Sequence, residues 1–147
     1  MPPVVLDASA LVAYWLDEPG ADVVEGAIAE HGGLVSAPNF AEALSKLIDR
    51  RPGLAHELAD PGPITAGEVG ATLPGMPMAG GAISVEPFTL PDAVLCARLR
   101  RATRGAGLSL GDRACLALAR RIAAPALTAD STWTKVHVGV TVRLIRS

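Results

Sequence analysis

The sequence is poor in the residues that build several common kinds of catalytic site. It contains two cysteines, three histidines and only 3% aromatic residues. The cysteines form no Cys-x-x-Cys pair and the histidines are scattered, so the usual zinc ligand sets and a Ser–His nucleophilic triad are both disfavoured. A Walker-type glycine-rich phosphate loop is also missing. Any catalytic chemistry must therefore come from other side chains.

Long apolar runs are also missing from the sequence. No stretch reaches the roughly 18 uninterrupted apolar residues of a membrane span, although the mean hydropathy is +0.34. No basic region precedes an apolar run near residue 1, so we expect a cytoplasmic protein without a secretory signal or membrane contact. The length of 147 residues fits one domain, and we expect a single domain over residues 1–147. Cys96 and Cys115 are expected to be small buried thiols.

Net charge gives a weak indication against nucleic acid as a partner. The formal charge is −2 and the pI is about 5.9, whereas nucleic-acid binders usually have a basic excess. Most of the 13 basic residues nevertheless fall within residues 46–51 and 98–121. They predict either a local basic face or, for any single arginine, an ordinary solvated helix surface.

Short apolar segments alternate with segments of helical periodicity along the chain. We predict strands at residues 4–6, 34–36, 82–85, 125–129 and 140–145. We predict helices at residues 10–16, 21–30, 38–51, 91–104 and 111–122. Residues 52–87 are less regular, with short helices predicted at 54–59 and 65–73 and a loop at 73–81. The alternation predicts an α/β fold with a parallel sheet covered on both faces.

Four acidic residues stand where such a sheet would bring them together: Asp7, Glu42, Asp112 and Asp130. Asp7 and Asp130 each follow an apolar strand, while the other two lie near predicted helix starts. Strand C-termini and the following helix N-termini share one sheet edge, where ligands bind. Four carboxylates there would repel one another unless a cation held them. The pattern predicts a Mg²⁺ or Mn²⁺ site that hydrolyses a phosphate ester.

Each acid also has an explanation that involves no ligand. Asp7 could cap the first helix, although Ser9 could do so instead and leave Asp7 free. Asp130 could form a turn. These explanations do not account for the recurrence of acids on one predicted edge.

The two helical acids lie near the spacing of a capping box. Glu42 follows Asn39 by three residues, and Asp112 follows Ser109 by three. In a capping box the acidic residue reaches back to the cap backbone. Both carboxylates would also be stabilised as anions by the helix dipole.

The segments around the four acids form a specific pattern. VVLDASALVAYW, NFAEAL, LSLGDRACLALA and APALTADSTW occur in this order, and together they resemble the PIN-domain ribonucleases of the VapC toxin type. The similarity runs over nearly the whole chain and is poorest at residues 52–87. The resemblance implies a PIN-like three-layer α/β/α sandwich with a small, mainly parallel central sheet.

The resemblance also implies an activity and partners. The four acids match the family's metal-binding quartet, with Ser9 and Thr128 supporting them. The implied activity is Mg²⁺- or Mn²⁺-dependent cleavage of structured RNA, such as tRNA or rRNA. The implied partners are a VapB-like antitoxin, which inhibits the toxin, and a second copy of the chain in a homodimer.

Roles within this set follow as hypotheses. Asp7 and Asp130 would hold the main cation, while Glu42 and Asp112 would complete the cage or form a second site and orient the attacking water. Arg113 would contact the RNA backbone.

The first helix carries a cluster of large apolar residues that includes Leu11, Tyr14 and Trp15. Core packing explains at least one of the aromatic pair. Leu11 and Trp15 are the residues expected to accept an antitoxin helix in a groove.

Other enzymes and modules with similar folds match less well. A haloacid-dehalogenase-like phosphatase needs a second acid two residues after Asp7, where this chain has Ser9. A receiver-like phospho-acceptor needs an early acidic pair and a lysine near the last strand, whereas Lys135 follows the wrong strand. A PIN nuclease outside toxin–antitoxin systems and an RNA-binding scaffold without activity both remain open.

Overall fold

Strands and helices alternate through the computed structural model, which describes residues 2–57 and 82–147. The strands are β1 (Val4–Leu6), β2 (Gly33–Ser36), β3 (Ile83–Glu86), β4 (Ala126–Thr128) and β5 (Val142–Leu144). The helices are α1 (Ala8–Leu16), α2 (Ala21–His31), α3 (Ala37–Arg50), α4 (Leu54–Glu57), α5 (Leu90–Arg98), α6 (Arg100–Thr103) and α7 (Leu110–Arg121). Short 3₁₀ turns occur at Arg104–Ala106 and Ser131–Lys135.

The sheet is wholly parallel, as predicted. Its five strands lie in the order β3-β2-β1-β4-β5. The chain therefore builds outward from β1 to β3 and then returns to the other side of β1 to form β4 and β5. In an open α/β sheet the ligand crevice lies at the carboxyl ends of the strands where the order reverses. In this chain that point is between β1 and β4, directly before Asp7 and Asp130.

Helices cover both faces of the sheet, which confirms the three-layer architecture. The residues of β1 alternate between the two faces, as strand geometry requires. Val4 and Leu6 belong to a core with α1, α2 and part of α3. Val5 belongs to a second core with α5 and α7. Each core is continuous and apolar, so the carboxyl edge of the sheet stands on a rigid base.

Two helices differ from their predicted bounds. The helix predicted at 38–51 begins one residue earlier, at Ala37, because Ser36 is the N-cap and Pro38 lies in the first turn, where its missing N–H costs nothing. The helix predicted at 91–104 divides into α5 and α6 at Leu99, whose ψ of −10° lies outside ideal helix geometry. The Thr103 hydroxyl donates a hydrogen bond to the carbonyl of Leu99 at 2.9 Å.

The other predicted elements are confirmed with shifts of one or two residues at their ends. The predicted helix at 54–59 is confirmed over Leu54–Glu57. The predicted helix at 65–73 and the loop at 73–81 lie outside the described residues. Cys96 and Cys115 are buried free thiols, as expected. Within the described ranges, no helix is long and apolar enough to cross a membrane.

Candidate functional site

Asp7 is the buried centre of the predicted site. It directly follows β1 and is only 4% exposed. Its Oδ1 accepts hydrogen bonds from the backbone N–H of Ala10 at 2.8 Å and from the hydroxyl of Ser9 at 2.7 Å. Its Oδ2 accepts one from the hydroxyl of Thr128. The suggestion that Ser9 caps α1 in place of Asp7 is therefore wrong: Asp7 is the N-cap, and Ser9 donates to it.

The two hydroxyls that serve Asp7 are themselves oriented by the backbone of the segment after β4. The N–H of Ala129 donates to Ser9 Oγ at 2.9 Å, and the N–H of Asp130 donates to Thr128 Oγ1 at 3.1 Å. Because these N–H groups occupy acceptor positions on the oxygens, the hydroxyl protons are directed towards Asp7. We call this network of Asp7, Ser9 and Thr128 the hydroxyl clamp.

The charge of Asp7 is held at a cost. Burial raises its pKa from the ordinary value of 3.8 to about 6, against the lowering effect of hydrogen bonds from Thr128, Ser9 and Ala10. The negative charge of Asp112 raises this pKa further. Cys115 is fully buried beneath the acids. Burial raises the pKa of its thiol, and the negative charges of Asp7 and Asp112 raise it further. The charges of Asp7 and Asp112 are therefore close enough to repel each other, and both lie next to the apolar core around Cys115, which we call the apolar floor of the site.

Asp112 lies in the first turn of α7 and forms the predicted capping box with Ser109. Asp112 Oδ2 accepts a hydrogen bond from the N–H of Ser109 at 2.9 Å, and Ser109 Oγ accepts one from the N–H of Asp112 at 3.1 Å. The cap uses Oδ2 of the carboxylate. Capping and ligand binding are therefore compatible at this residue, because a carboxylate has about four acceptor positions.

Glu42 is not a capping residue. It lies beyond the first turn of α3, and its carboxylate reaches the first turn of α7. Glu42 Oε2 lies 2.9 Å from where a Cβ would stand at Gly111, next to Asp112. Glu42 Oε1 lies 3.5 Å from Nζ of Lys46, one helical turn further along α3. The capping explanation for Glu42 is wrong because Ser36, and not Asn39, is the N-cap of α3.

Asn39 holds these two helices together, a role that the sequence did not suggest. Its side chain is fully buried, and its Nδ2 donates a hydrogen bond to the carbonyl of Gly111 at 2.8 Å. Its Oδ1 accepts a hydrogen bond from the hydroxyl of Ser36. An asparagine three residues before a glutamate looks like a helix cap in sequence, so no local signal distinguishes the two roles.

Asp130 forms the predicted turn at the exposed side of the site. Its Oδ1 accepts hydrogen bonds from the N–H and the hydroxyl of Thr132, at 2.9 and 2.7 Å. Its own N–H reaches the hydroxyl clamp through Thr128. Asp130 is therefore tied to the backbone edge that carries Asp7, while its side chain stays accessible to solvent.

Three further predicted residues have other surroundings. Arg113 is partly buried, and its Nη1 donates a hydrogen bond to the carbonyl of Cys96 at 2.9 Å, so it packs α7 against α5. Its RNA contact stays a prediction. Leu11 is fully buried, which does not support the antitoxin contact predicted for it. Trp15 is partly exposed and stacks edge-on against Phe40, with ring centroids 6.1 Å apart.

The donor set fits a hard divalent cation that keeps water ligands. All four acids offer carboxylate oxygens, the ligands preferred by Mg²⁺ and Mn²⁺. Asp7 and Asp112 are like charges whose repulsion a cation would relieve. Within residues 2–57 and 82–147, no three acidic, histidine or cysteine side chains already stand close enough to hold one ion. Mg²⁺ commonly takes one or two carboxylates and several waters, so it fits better than an ion that needs a complete protein cage.

We predict that the metal-free chain loses stability as the pH rises from about 4 through about 6. The folded pKa of Asp7 is about 6, above its ordinary 3.8, so its stabilising protonation is complete below the lower value and lost above the higher one. At about 1.4 kcal/mol per pKa unit, the charged form costs about 3 kcal/mol. Urea unfolding in EDTA at about pH 4 and about pH 7.5 measures most of this effect. Asp7→Asn should lose less stability between the two values, and identical losses would contradict the prediction.

Solved structures support the fold, whereas comparisons of the sequence find no match. No model of a known protein family matches the sequence, and no curated protein matches it. Several solved structures match over nearly the whole chain. DNA-bound VapBC from Salmonella typhimurium is 9% identical, with a TM-score of 0.63 and coverage of 99% of both chains. A toxin–antitoxin complex from Klebsiella pneumoniae is 13% identical, with a TM-score of 0.59 and coverage of 94% of this chain and 98% of that one.

A third structure, FitAcB from Neisseria gonorrhoeae, is 19% identical, with a TM-score of 0.58 and coverage of 95% of both chains. At these identities the likeness is one of fold. It confirms the fold that the resemblance of the sequence motifs implied. This chain has the PIN-like fold that also occurs in VapBC and FitAB toxin–antitoxin structures.

Proposed function

We propose that this chain is a Mg²⁺- or Mn²⁺-dependent endoribonuclease that cleaves structured RNA, such as tRNA or rRNA, as the toxin of a VapBC-type pair. The observation that carries the proposal is Asp7, buried at the carboxyl end of β1 where the strand order reverses, with Asp112 close enough to raise its pKa and Glu42 next to the first turn of α7. A buried carboxylate beside a second negative charge is costly, and functional sites commonly hold such groups. The fold shared with toxin–antitoxin structures supports the proposal.

Asp7 and Asp112 would hold the cation in this proposal. Asp7 Oδ2 accepts one hydrogen bond from the clamp, so it retains an acceptor position. Asp130 would contribute from the exposed side, and Glu42 from the side of α7. When bound, the ion would neutralise charge on the scissile phosphate and make a water more acidic.

The other groups of the site would orient the Asp7 carboxylate and the attacking water. Ser9 and Thr128 keep the Asp7 carboxylate in one orientation and favour its anionic form. Glu42 Oε2 would accept a hydrogen bond from the attacking water and so orient it towards phosphorus. The apolar floor around Cys115 lowers the local dielectric, which strengthens these interactions.

Exposed arginines before α7 offer a path for the RNA backbone. We call Arg98, Arg100, Arg101 and Arg104 the arginine strip. All four are exposed, and none forms an ion pair with a residue in the described part of the chain. No acidic residue occurs between Asp92 and Asp112, so this charge is not neutralised within its own segment.

The arginine strip borders the acidic crevice through two packed turns. The turn at Arg104–Ala106 packs against the turn at Ser131–Lys135, which begins directly after Asp130. Lys135 is exposed on that second turn. An RNA backbone bound along the arginine strip would therefore lead towards the acids. The strip suits this contact better than Arg113 does, because its arginines are exposed whereas Arg113 is partly buried.

The nuclease proposal is tested by cleavage of a defined RNA pool with Mg²⁺, with Mn²⁺ and with EDTA. Asp130→Asn is the main variant, because asparagine can still accept the two turn hydrogen bonds of Thr132 but lacks the charge. We expect cleavage that requires the metal and falls at least about 100-fold in Asp130→Asn, the scale of losses at metal sites. Asp22→Asn, at an exposed position of α2, is the matched control.

Two outcomes would contradict this proposal. Cleavage that persists in EDTA and in Asp130→Asn would assign the activity to other residues or to a contaminant. RNA binding without any metal-dependent cleavage would instead support a scaffold without activity.

The arginine strip is tested by the salt dependence of RNA binding. Removal of one arginine–phosphate interaction should reduce the slope of log affinity against log salt by about 0.7 for single strands. We expect Arg101→Gln/Arg104→Gln to bind more weakly and with a shallower slope than wild type. Arg50→Gln/Arg51→Gln removes the same charge at the far end of α3. Equal effects of both double variants would show that only net charge matters.

We further propose a VapB-like antitoxin as partner, with Trp15 as a contact, and a homodimer. The first step is to look for a small gene directly upstream of the gene for this chain, and calorimetry then measures binding of its product. Trp15→Ala should weaken binding, whereas Val23→Ala, an exposed apolar truncation on α2, should not. Unchanged affinity would remove Trp15 from the contact, and no binding would favour a nuclease outside toxin–antitoxin systems. A mass near 15.1 kDa by light scattering would contradict the dimer.

A further inference from the structure

Gly111 lies where a side chain would collide with the carboxylate of Glu42. A Cβ built at Gly111 would stand 2.9 Å from Glu42 Oε2, 3.5 Å from Asn39 Nδ2 and 3.7 Å from Ser109 Oγ. Real Cβ atoms essentially never approach another heavy atom within 3.0 Å. Gly111 lies in α7 without a positive φ, so backbone conformation does not require glycine here. The requirement is for space.

The atom in the way is the far end of a flexible side chain. A methyl group at position 111 would be accommodated by rotation of Glu42, without movement of either helix backbone. The two nearest other atoms are polar side-chain atoms at distances of ordinary contact. A substitution at Gly111 would therefore move a carboxylate of the site while leaving the fold intact.

Asn39 fixes the separation of the two helices at this point. Its buried amide bridges from the hydroxyl of Ser36 to the carbonyl of Gly111, and buried polar bridges of this kind define one packing arrangement. Glu42 follows Asn39 by three residues, so the two side chains lie on the same face of α3. The helix that carries Glu42 is thus fastened to the backbone of Gly111 itself.

We propose that Gly111 is a positioning residue that leaves room for Glu42 Oε2 beside Asp112, with Asn39 setting the distance between α3 and α7. The inference rests on the proposed function, in which both carboxylates serve the cation. It assigns the glycine directly before Asp112 a role in assembling the ion site.

The experiment compares Gly111→Ala with Gly26→Ala. Gly26 lies within α2, and a Cβ there would meet nothing within 4 Å. Both variants replace a helical glycine with alanine, so both should retain or raise the Tm. Calorimetric titration with Mn²⁺ should show roughly 10- to 100-fold weaker binding for Gly111→Ala and wild-type binding for Gly26→Ala. RNA cleavage by Gly111→Ala should lose kcat with little change in KM.

A double-mutant cycle tests whether Gly111 acts through Glu42. In a Glu42→Ala background the obstructed carboxylate is gone, so adding Gly111→Ala should change Mn²⁺ affinity no further. The inference is overturned if Gly111→Ala binds Mn²⁺ as wild type does, or loses the same factor in both backgrounds. It is also overturned if Gly111→Ala fails to fold, since the methyl group is then not accommodated by Glu42.

Different results would contradict the ion site and the role of Gly111. No Mn²⁺ binding by the wild-type chain would overturn the ion site and this inference with it. Mn²⁺ binding and cleavage by wild type, together with a Gly111→Ala variant that behaves normally, would overturn only the role of Gly111.

Discussion

The hydroxyl clamp on Asp7 is the interaction on which the carboxyl edge of this sheet depends. Two hydroxyls, each oriented by a backbone N–H of the segment after β4, donate to one carboxylate at the end of β1. The clamp thereby joins the two strands between which the sheet order reverses. Asp130 is positioned by the same contact, because its own N–H is part of it. The same hydrogen bonds therefore join the ends of β1 and β4 and fix the positions of the residues at the crevice.

The side chains proposed to hold the ion also have structural roles. Asp7 is the N-cap of α1, Asp112 completes the capping box of α7 with Ser109, and Asp130 is the N-cap of a 3₁₀ turn. Each carboxylate has more acceptor positions than its cap requires. Capping therefore fixes the orientation of the carboxylate and leaves other acceptor positions unused. The cost appears at Asp7, where burial opposes a negative charge more strongly than three hydrogen bonds favour it. Natural proteins commonly give up stability in this way at functional sites.

Features that depend on local pattern could be predicted from the sequence, whereas features that depend on tertiary contact could not. The strands follow from apolar runs, and the Ser109–Asp112 capping box follows from a spacing of three residues. The cap predicted for Glu42 is wrong because the start of α3 cannot be located from Pro38 alone. The bond from Asn39 to Gly111 joins residues 72 apart, so no local pattern could show it. Helical periodicity identifies the apolar face that carries Leu11, but not what covers that face.

The pairing of β1 with β4 has a consequence for when the site comes into being. Leu6 pairs with Leu127, so the next residues along the two strands, Asp7 and Thr128, are brought together by register alone. A slip of one residue would turn Thr128 to the opposite face of the sheet and leave the Asp7 carboxylate without that donor. A misaligned chain therefore contains Asp7 and Thr128 but not the hydrogen bond that joins them. Correct alignment of β1 with β4 is therefore required before the hydroxyl clamp can form.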